Sequence, residues 1–146
     1  CKTECCGNHA RKGIHRMTTD LWMLVATGLW SACVPGIYAY GRLSRSGGNA
    51  WSFGNRDQPL AVPPWVDRAV RAHANLTENL TLFAILVLVT HVTGKANAVT
   101  ATGAVMFFGA RVAHTLIYTA GWIYLRTAAF FIGMLGEIMI LLQLLK

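Results

Sequence analysis

The sequence predicts an all-α integral membrane protein, a four-helix bundle whose helices each cross the bilayer. Three observations predict it. Of 146 residues, 54% are hydrophobic and only 13% are charged, too few charges to clothe a soluble domain of this size. The apolar residues are gathered into four blocks, each near the roughly 20 residues that a helix needs to cross a hydrocarbon core. The basic residues stand at the edges of those blocks, as juxtamembrane charges do. The same placement accounts for the net charge of +7 without a nucleic-acid partner, and no zinc-finger or RNP-like motif accompanies it.

Residues 1–16 are polar, basic and cysteine-rich without helical period, and are set apart as a tag, an extension or a disordered tail. Cys1, Cys5, Cys6, His9 and His15 match no common zinc spacing, so no metal site is expected. Residues 17–146 form one membrane domain. Thr18, Thr19 and Asp20 supply a helix start before the first block, 21–40, which Pro35 and Gly36 would kink or weaken near its end. Residues 41–66 are the one long loop, punctuated by Gly, Ser, Asn and Pro and made basic by Arg42, Arg45 and Arg56.

The second helix is expected from about 65 to 92, entered through Pro63 and Pro64, where proline is tolerated. Its first half carries Asp67, Arg68, Arg71, His73, Asn75, Glu78 and Asn79; its second half is nearly pure hydrocarbon. A turn through Gly94, Lys95 and Asn97 leads to a third helix over 98–118, with Arg111 and His114 toward its end. A break at Gly121 leads through Arg126 to the fourth helix, 127–145, with Glu137 on an otherwise apolar face. Gly103, Gly109, Gly133 and Gly136 suit close helix contact. With 1–16 left out, four spans put loops 41–66 and 119–126 on one side, with Arg42, Arg45, Arg56, Arg68, Arg71 and Arg126, against Lys95 and Lys146 on the other. That excess places the first and third loops in the cytoplasm.

The polar residues within the helices carry the chemistry. Arg71, Asn75 and Glu78 are spaced i, i+4, i+7 and share a helix side; Arg111, His114 and Tyr118, spaced i, i+3, i+7, share another. Both sets lie at the helix ends nearest the first and third loops, at the level of Arg126. Ionisable groups at membrane depth cost about 3 kcal/mol each on insertion scales and persist when paired or lining a wet cavity. Glu78 and Arg111 are the expected structural ion pair. Arg71, Asn75, Tyr118 and Arg126 exceed what one pair requires, and their mix of cations, amide and phenol suits a small, charged, peptide-like ligand. His73, two residues from Arg71, is read as a packing or interhelical hydrogen-bond residue and not as a catalyst.

The stretch Arg68-Ala69-Val70-Arg71-Ala72-His73-Ala74-Asn75-Leu76-Thr77-Glu78-Asn79 resembles the second-helix signature of the MAPEG family, membrane-associated proteins of eicosanoid and glutathione metabolism. Arg111-Val112-Ala113-His114-Thr115-Leu116-Ile117-Tyr118 resembles its third-helix signature, and Leu125-Arg126-Thr127 the start of its fourth helix. The resemblance implies a homotrimer with a site at each subunit interface, glutathione as co-substrate and a lipophilic small molecule arriving from the membrane lipids. It implies that Arg71, Asn75 and Glu78 hold glutathione, that Tyr118 adds a hydrogen bond, and that Arg126 activates the thiol. It further implies help from Arg42 or Arg45 of an adjacent subunit, and a hydrogen bond from Thr127. A free thiol, with a pKa of about 8.5, is mostly protonated at neutral pH, and a guanidinium beside it favours the thiolate.

The implied activity is that of a glutathione transferase, with peroxidase activity as an extension; the rival, also within the family's range, is a non-enzymatic lipid-binding helper. Ala74, where the prostaglandin-synthase branch carries arginine, Asn79, where a leukotriene-synthase branch carries tyrosine, and Thr127, where serine is frequent, argue against a specific eicosanoid activity and suit a general or bacterial-type member.

Overall fold

The computed structural model describes residues 17–146. The expected tag, extension or tail at 1–16, and its unmatched cysteines and histidines, lie outside the described residues. Among the described residues every regular element is helical, in the order α1 (Thr19–Leu43), α2 (Gly48–Phe53), α3 (Pro64–Val92), α4 (Ala98–Ala120) and α5 (Ile123–Leu144). Three of these, α1, α3 and α5, are long and apolar enough to cross a membrane. Helix α4 has the length, 23 residues, but Arg111 and His114 lower its mean hydropathy.

Local chemistry marks the starts of α1, α3 and α4. Thr18 caps α1, its hydroxyl accepting from the Leu21 amide at 3.5 Å. Helix α1 runs uninterrupted through Pro35, where a kink or weakening was expected. Pro64 occupies the first turn of α3, where its missing N–H costs nothing. Asn97 and Thr100 form a capping box on α4: Asn97 Oδ1 accepts from the amides of Val99 (2.8 Å) and Thr100 (3.2 Å), and Thr100 Oγ1 accepts from the Asn97 amide (2.9 Å).

Two boundaries differ from the sequence expectation. The loop 41–66 is not wholly irregular: Gly47, at φ +76°, turns the chain into the six-residue α2, and Trp51 of α2 lies 5.1 Å from the Arg42 guanidinium and 5.4 Å from that of Arg56. Helix α5 starts at Ile123, not 127, because Gly121 completes the turn alone. At φ +94° it ends α4, and its amide reaches back to the Ile117 and Tyr118 carbonyls. Arg126 therefore lies inside the first turns of α5, with its amide donating to the Trp122 carbonyl at 3.1 Å.

Helices α4 and α5 form a tight antiparallel hairpin. Gly103 and Gly136 set their spacing, since a Cβ on Gly136 would sit 2.5 Å from the Gly103 carbonyl oxygen. Helix α3 packs on α4 and, less extensively, on α5; α1 covers α3 and α4 and does not touch α5. The apolar core is built from Phe83, Leu86 and Val87 of α3, Ala104 and Phe107 of α4 and Ile140 of α5, with Phe83 and Phe107 stacked at 4.0 Å. Large side chains such as Leu29, Ile85, Val105 and Leu135 point outward, the pattern of helices solvated by lipid.

At 1.5 Å per residue, the 29 residues of α3 span about 43 Å, well beyond a hydrocarbon core of about 30 Å. That length lets its first turns stand outside the hydrocarbon core, with the polar residues that follow, as far as Asn79, at membrane depth. There it meets the end of α4 and the start of α5.

Candidate functional site

The meeting of α3, α4 and α5 opens a cleft of about 340 Å³, lined by Asn75, His114, Tyr118, Arg126, Thr127, Phe130 and Phe131. Four of these, Asn75, Tyr118, Arg126 and Thr127, are residues that the sequence singled out. The Gly121 turn places Tyr118, in the last turn of α4, against Arg126, in the first turns of α5, and the Arg126 guanidinium lies 4.4 Å from the centre of the Tyr118 ring. A half-buried cation is thereby held at the cleft without an acid to neutralise it: Arg126 makes no ion pair among the described residues. Phe130, one turn beyond Arg126, and Phe131 supply the apolar wall.

Behind the cleft stands a buried polar cluster. Arg111, 1% exposed, donates from Nη1 to Asn75 Oδ1 at 3.3 Å and from Nη2 to Asn79 Oδ1 at 3.0 Å. The rings of Phe107 and Phe130 flank its guanidinium at 4.9 and 5.2 Å. Gly133 leaves room for it, since a Cβ there would lie 3.1 Å from Nη2. Asn79 in turn donates from Nδ2 to the Asn75 carbonyl at 2.7 Å. Arg111 Nε and Glu137 Oε1 are buried without a hydrogen-bond partner among the described residues.

The expected ion pair between Glu78 and Arg111 is therefore not formed. At 100° per residue Glu78 is rotated about 60° from Asn75 and about 100° from Asn79 around α3, and it points outward while the two amides point at Arg111. Two neutral acceptors take the place assigned to the carboxylate. Arg71 is likewise exposed and, with Glu78, makes no hydrogen bond or ion pair among the described residues. Neither lines the cleft of this single chain.

Arg42, in the last turn of α1, and Arg45, just beyond it, do not line the cleft. Arg42 is occupied by the rings of Tyr38 (4.9 Å) and Trp51, and Arg45 is exposed. The hydroxyl of Thr127 reaches the cleft but donates its proton to the Ile123 carbonyl at 3.2 Å, so it is available there as an acceptor and not as the donor expected of it.

Three further residues shape the site, and the sequence argument gave them no such part. His114 lines the cleft, is packed edge-on against Tyr118 with ring centres 5.6 Å apart, and has a buried Nδ1 without a partner among the described residues. Asn79 was legible as the i+4 neighbour of Asn75. Arg68 donates from Nε to the Thr119 carbonyl at 3.0 Å and packs against Gly121, tying the start of α3 to the end of α4. His73 bridges α3 to α1, with Nε2 3.3 Å from Ser31 Oγ and Nδ1 3.3 Å from the Tyr38 hydroxyl, and is an interhelical hydrogen-bond residue as expected. No group of three or more metal-ligating side chains exists among the described residues.

No curated protein matches the chain. The family model of the MAPEG family matches residues 21–146, from the first apolar block to the last residue. The apolar helices and the match agree, and the chain belongs to the MAPEG family, integral membrane proteins that include glutathione transferases and non-enzymatic members.

Proposed function

We propose that this protein is a membrane-bound glutathione transferase in which Arg126 stabilises the thiolate of glutathione for attack on a lipophilic electrophile. The observation that carries the reading is the unneutralised Arg126 guanidinium, braced by the Tyr118 ring at the mouth of a cleft whose polar wall is Asn75 and whose apolar wall is Phe130 and Phe131. A guanidinium keeps its charge and donates several hydrogen bonds, so it favours the sulfur anion over the thiol. The thiol proton passes to water. The thiolate then forms a carbon–sulfur bond with the electrophile, and the leaving group departs with the displaced electron pair. The electrophile reaches the sulfur from the bilayer across the phenylalanine wall, so no enclosed pocket is needed. The same thiolate is competent to reduce a lipid hydroperoxide.

The active form in this proposal is a homotrimer. Arg71 and Glu78 point away from the chain on a helix bordered by lipid, where a charge exposed to hydrocarbon costs about 3 kcal/mol. A neighbouring copy covering that face removes the cost. It also brings Arg71 and Glu78 of one chain toward glutathione beside Arg42 or Arg45 of another. Counted over residues 17–146, the arginine excess at the cleft end favours a cytoplasmic position for the first and third loops and for the site.

The test is ultraviolet thiolate absorbance during titration of the detergent-solubilised protein with glutathione near neutral pH, beside Arg126→Ala. A saturable signal that the substitution abolishes supports the enzyme and the role of Arg126. No signal in the folded wild-type protein rejects the enzyme and favours the lipid-binding helper, and a signal that survives Arg126→Ala removes Arg126 from its role.

A further inference from the structure

The polarity of Asn75 is decided by Arg111. A carboxamide has an oxygen that accepts and a nitrogen that donates, and the two ends are interchangeable in shape. A guanidinium only donates. The end of Asn75 that meets Arg111 Nη1, at 3.3 Å, must therefore be the oxygen. The same reasoning fixes Asn79, whose oxygen faces Nη2 at 3.0 Å and whose nitrogen is then turned onto the Asn75 carbonyl at 2.7 Å. Asn75 Nδ2 is left with no partner among the described residues, on a residue that lines the cleft.

Arg111 is itself unable to turn. Phe107 and Phe130 flank its guanidinium at 4.9 and 5.2 Å, it lies against the backbone of Gly133 in space that a Cβ there would fill, and it is 1% exposed. The orientation of Asn75 is thus imposed from the buried side before any ligand arrives.

We infer that Arg111 is a positioning residue: it locks the Asn75 carboxamide with its NH2 toward the cleft, so that the α3 wall selects a ligand presenting a carboxylate or amide oxygen. The proposal rests on the glutathione reading and deepens it, since it assigns the chemistry of the ligand group that docks on α3. With the Arg126 guanidinium lining the same cleft, a charged and a neutral donor are both offered to the ligand, beside the acceptor oxygen of Thr127. A ligand that offers donors at the Asn75 position leaves the amide NH2 unpaired and is rejected.

The experiment compares glutathione affinity and steady-state kinetics, with an aryl halide as electrophile, in the full detergent-solubilised chain carrying Arg111→Lys, Arg111→Gln or Arg111→Gln with Glu137→Gln. Lysine remains a pure donor, whereas glutamine presents either end and frees Asn75 to flip. Arg111→Gln is expected to raise the dissociation constant and KM for glutathione about tenfold with kcat changed less than about twofold, and Arg111→Lys to restore most of the affinity. The double variant, which no longer leaves the Glu137 charge uncompensated, stays as weak as Arg111→Gln. Wild-type affinity in Arg111→Gln, equal losses in the lysine and glutamine variants, or recovery in the double variant each overturns the proposal, the last by reducing Arg111 to a counter-charge for Glu137.

Should the Arg111 variants fail to fold, Asn75→Asp and Asn75→Ala decide. The aspartate still accepts from Arg111 but turns an acceptor to the ligand, so it binds glutathione several-fold more weakly than the alanine; equal or tighter binding overturns the proposal. Absence of glutathione binding by the wild-type protein is the distinct result that rejects the thiol reading itself, and the positioning role falls with it.

Discussion

Replacing Gly136 by alanine tests whether the α4–α5 spacing is set by backbone contact. The added Cβ would stand 2.5 Å from the Gly103 carbonyl oxygen and 3.0 Å from the Phe107 amide nitrogen, against an ordinary contact distance of 3.4 Å or more. Both obstacles are helix backbone, which cannot rotate away as a side chain can. The helices must separate by the better part of an ångström, and overpacking of this kind costs about 1–3 kcal/mol. Gly109, on the same helix as Gly103, meets nothing within 4 Å and serves as the control. There the alanine gains helix propensity, worth about 0.5–1 kcal/mol in stability.

Unfolding in mixed micelles of mild detergent and increasing dodecyl sulfate, followed by helical circular dichroism, gives both values. Gly136→Ala is expected to unfold earlier than wild type by about 2 kcal/mol, and Gly109→Ala no earlier than wild type. Because Tyr118 and Arg126 sit across the same hairpin, a Gly136→Ala protein that remains folded should also bind glutathione more weakly. If the two substitutions shift the transition equally, close backbone packing does not set the geometry of the hairpin and the reasoning fails.

Other perturbations follow from single contacts. His73→Ala removes two interhelical hydrogen bonds, to Ser31 and Tyr38, and is expected to cost about 1 kcal/mol in the same unfolding assay, where an unchanged midpoint would show that the bridge contributes nothing. Gly121→Ala forces a Cβ into the left-handed region at φ +94° and to 3.3 Å from the Arg68 guanidinium; a loss of about 1–2 kcal/mol is expected, and a neutral result would refute the turn's dependence on glycine. Tyr118→Phe keeps the ring beneath Arg126 and deletes only the hydroxyl. On the proposed function the KM for glutathione rises about fivefold with the thiolate signal retained, and an unchanged KM would exclude a hydrogen bond from Tyr118 to the ligand.

Much of the fold is legible in the chain because lipid imposes simple rules. Blocks of apolar residues of spanning length mark the long helices, and Thr18, Pro64 and Gly121 punctuate them by chemistry that acts within a few residues. Helix α2 is not legible. Its six residues carry no period, and what stands beside it is tertiary, the Arg42 and Arg56 guanidinium groups around Trp51. The start of α5 was placed late because the break at Gly121 was carried on through Arg126, whereas Gly121 alone completes the turn and the helix resumes at Ile123. In the candidate site, the spacing of Arg111, His114 and Tyr118 correctly put three polar groups on one side of α4, and two of them line the cleft.

The misassigned partner of Arg111 shows where sequence reasoning stops. Charge complementarity argued for Glu78, since an arginine at that depth needs compensation. The azimuth of α3 argued otherwise: a guanidinium that reaches Asn75 meets Asn79, about 40° farther round, before it meets Glu78, about 60° the other way. Two amides tied to one another along the helix are a workable substitute, because each oxygen accepts from the cation without a second carboxylate being buried beside Glu137. The arrangement also has a consequence that an ion pair would not. A carboxylate at position 78 facing Arg111 would have been spent on internal compensation, whereas Glu78 and Arg71 are left exposed on the outer side of α3. The buried cation fixes amides, and the exposed charges stay free to bind.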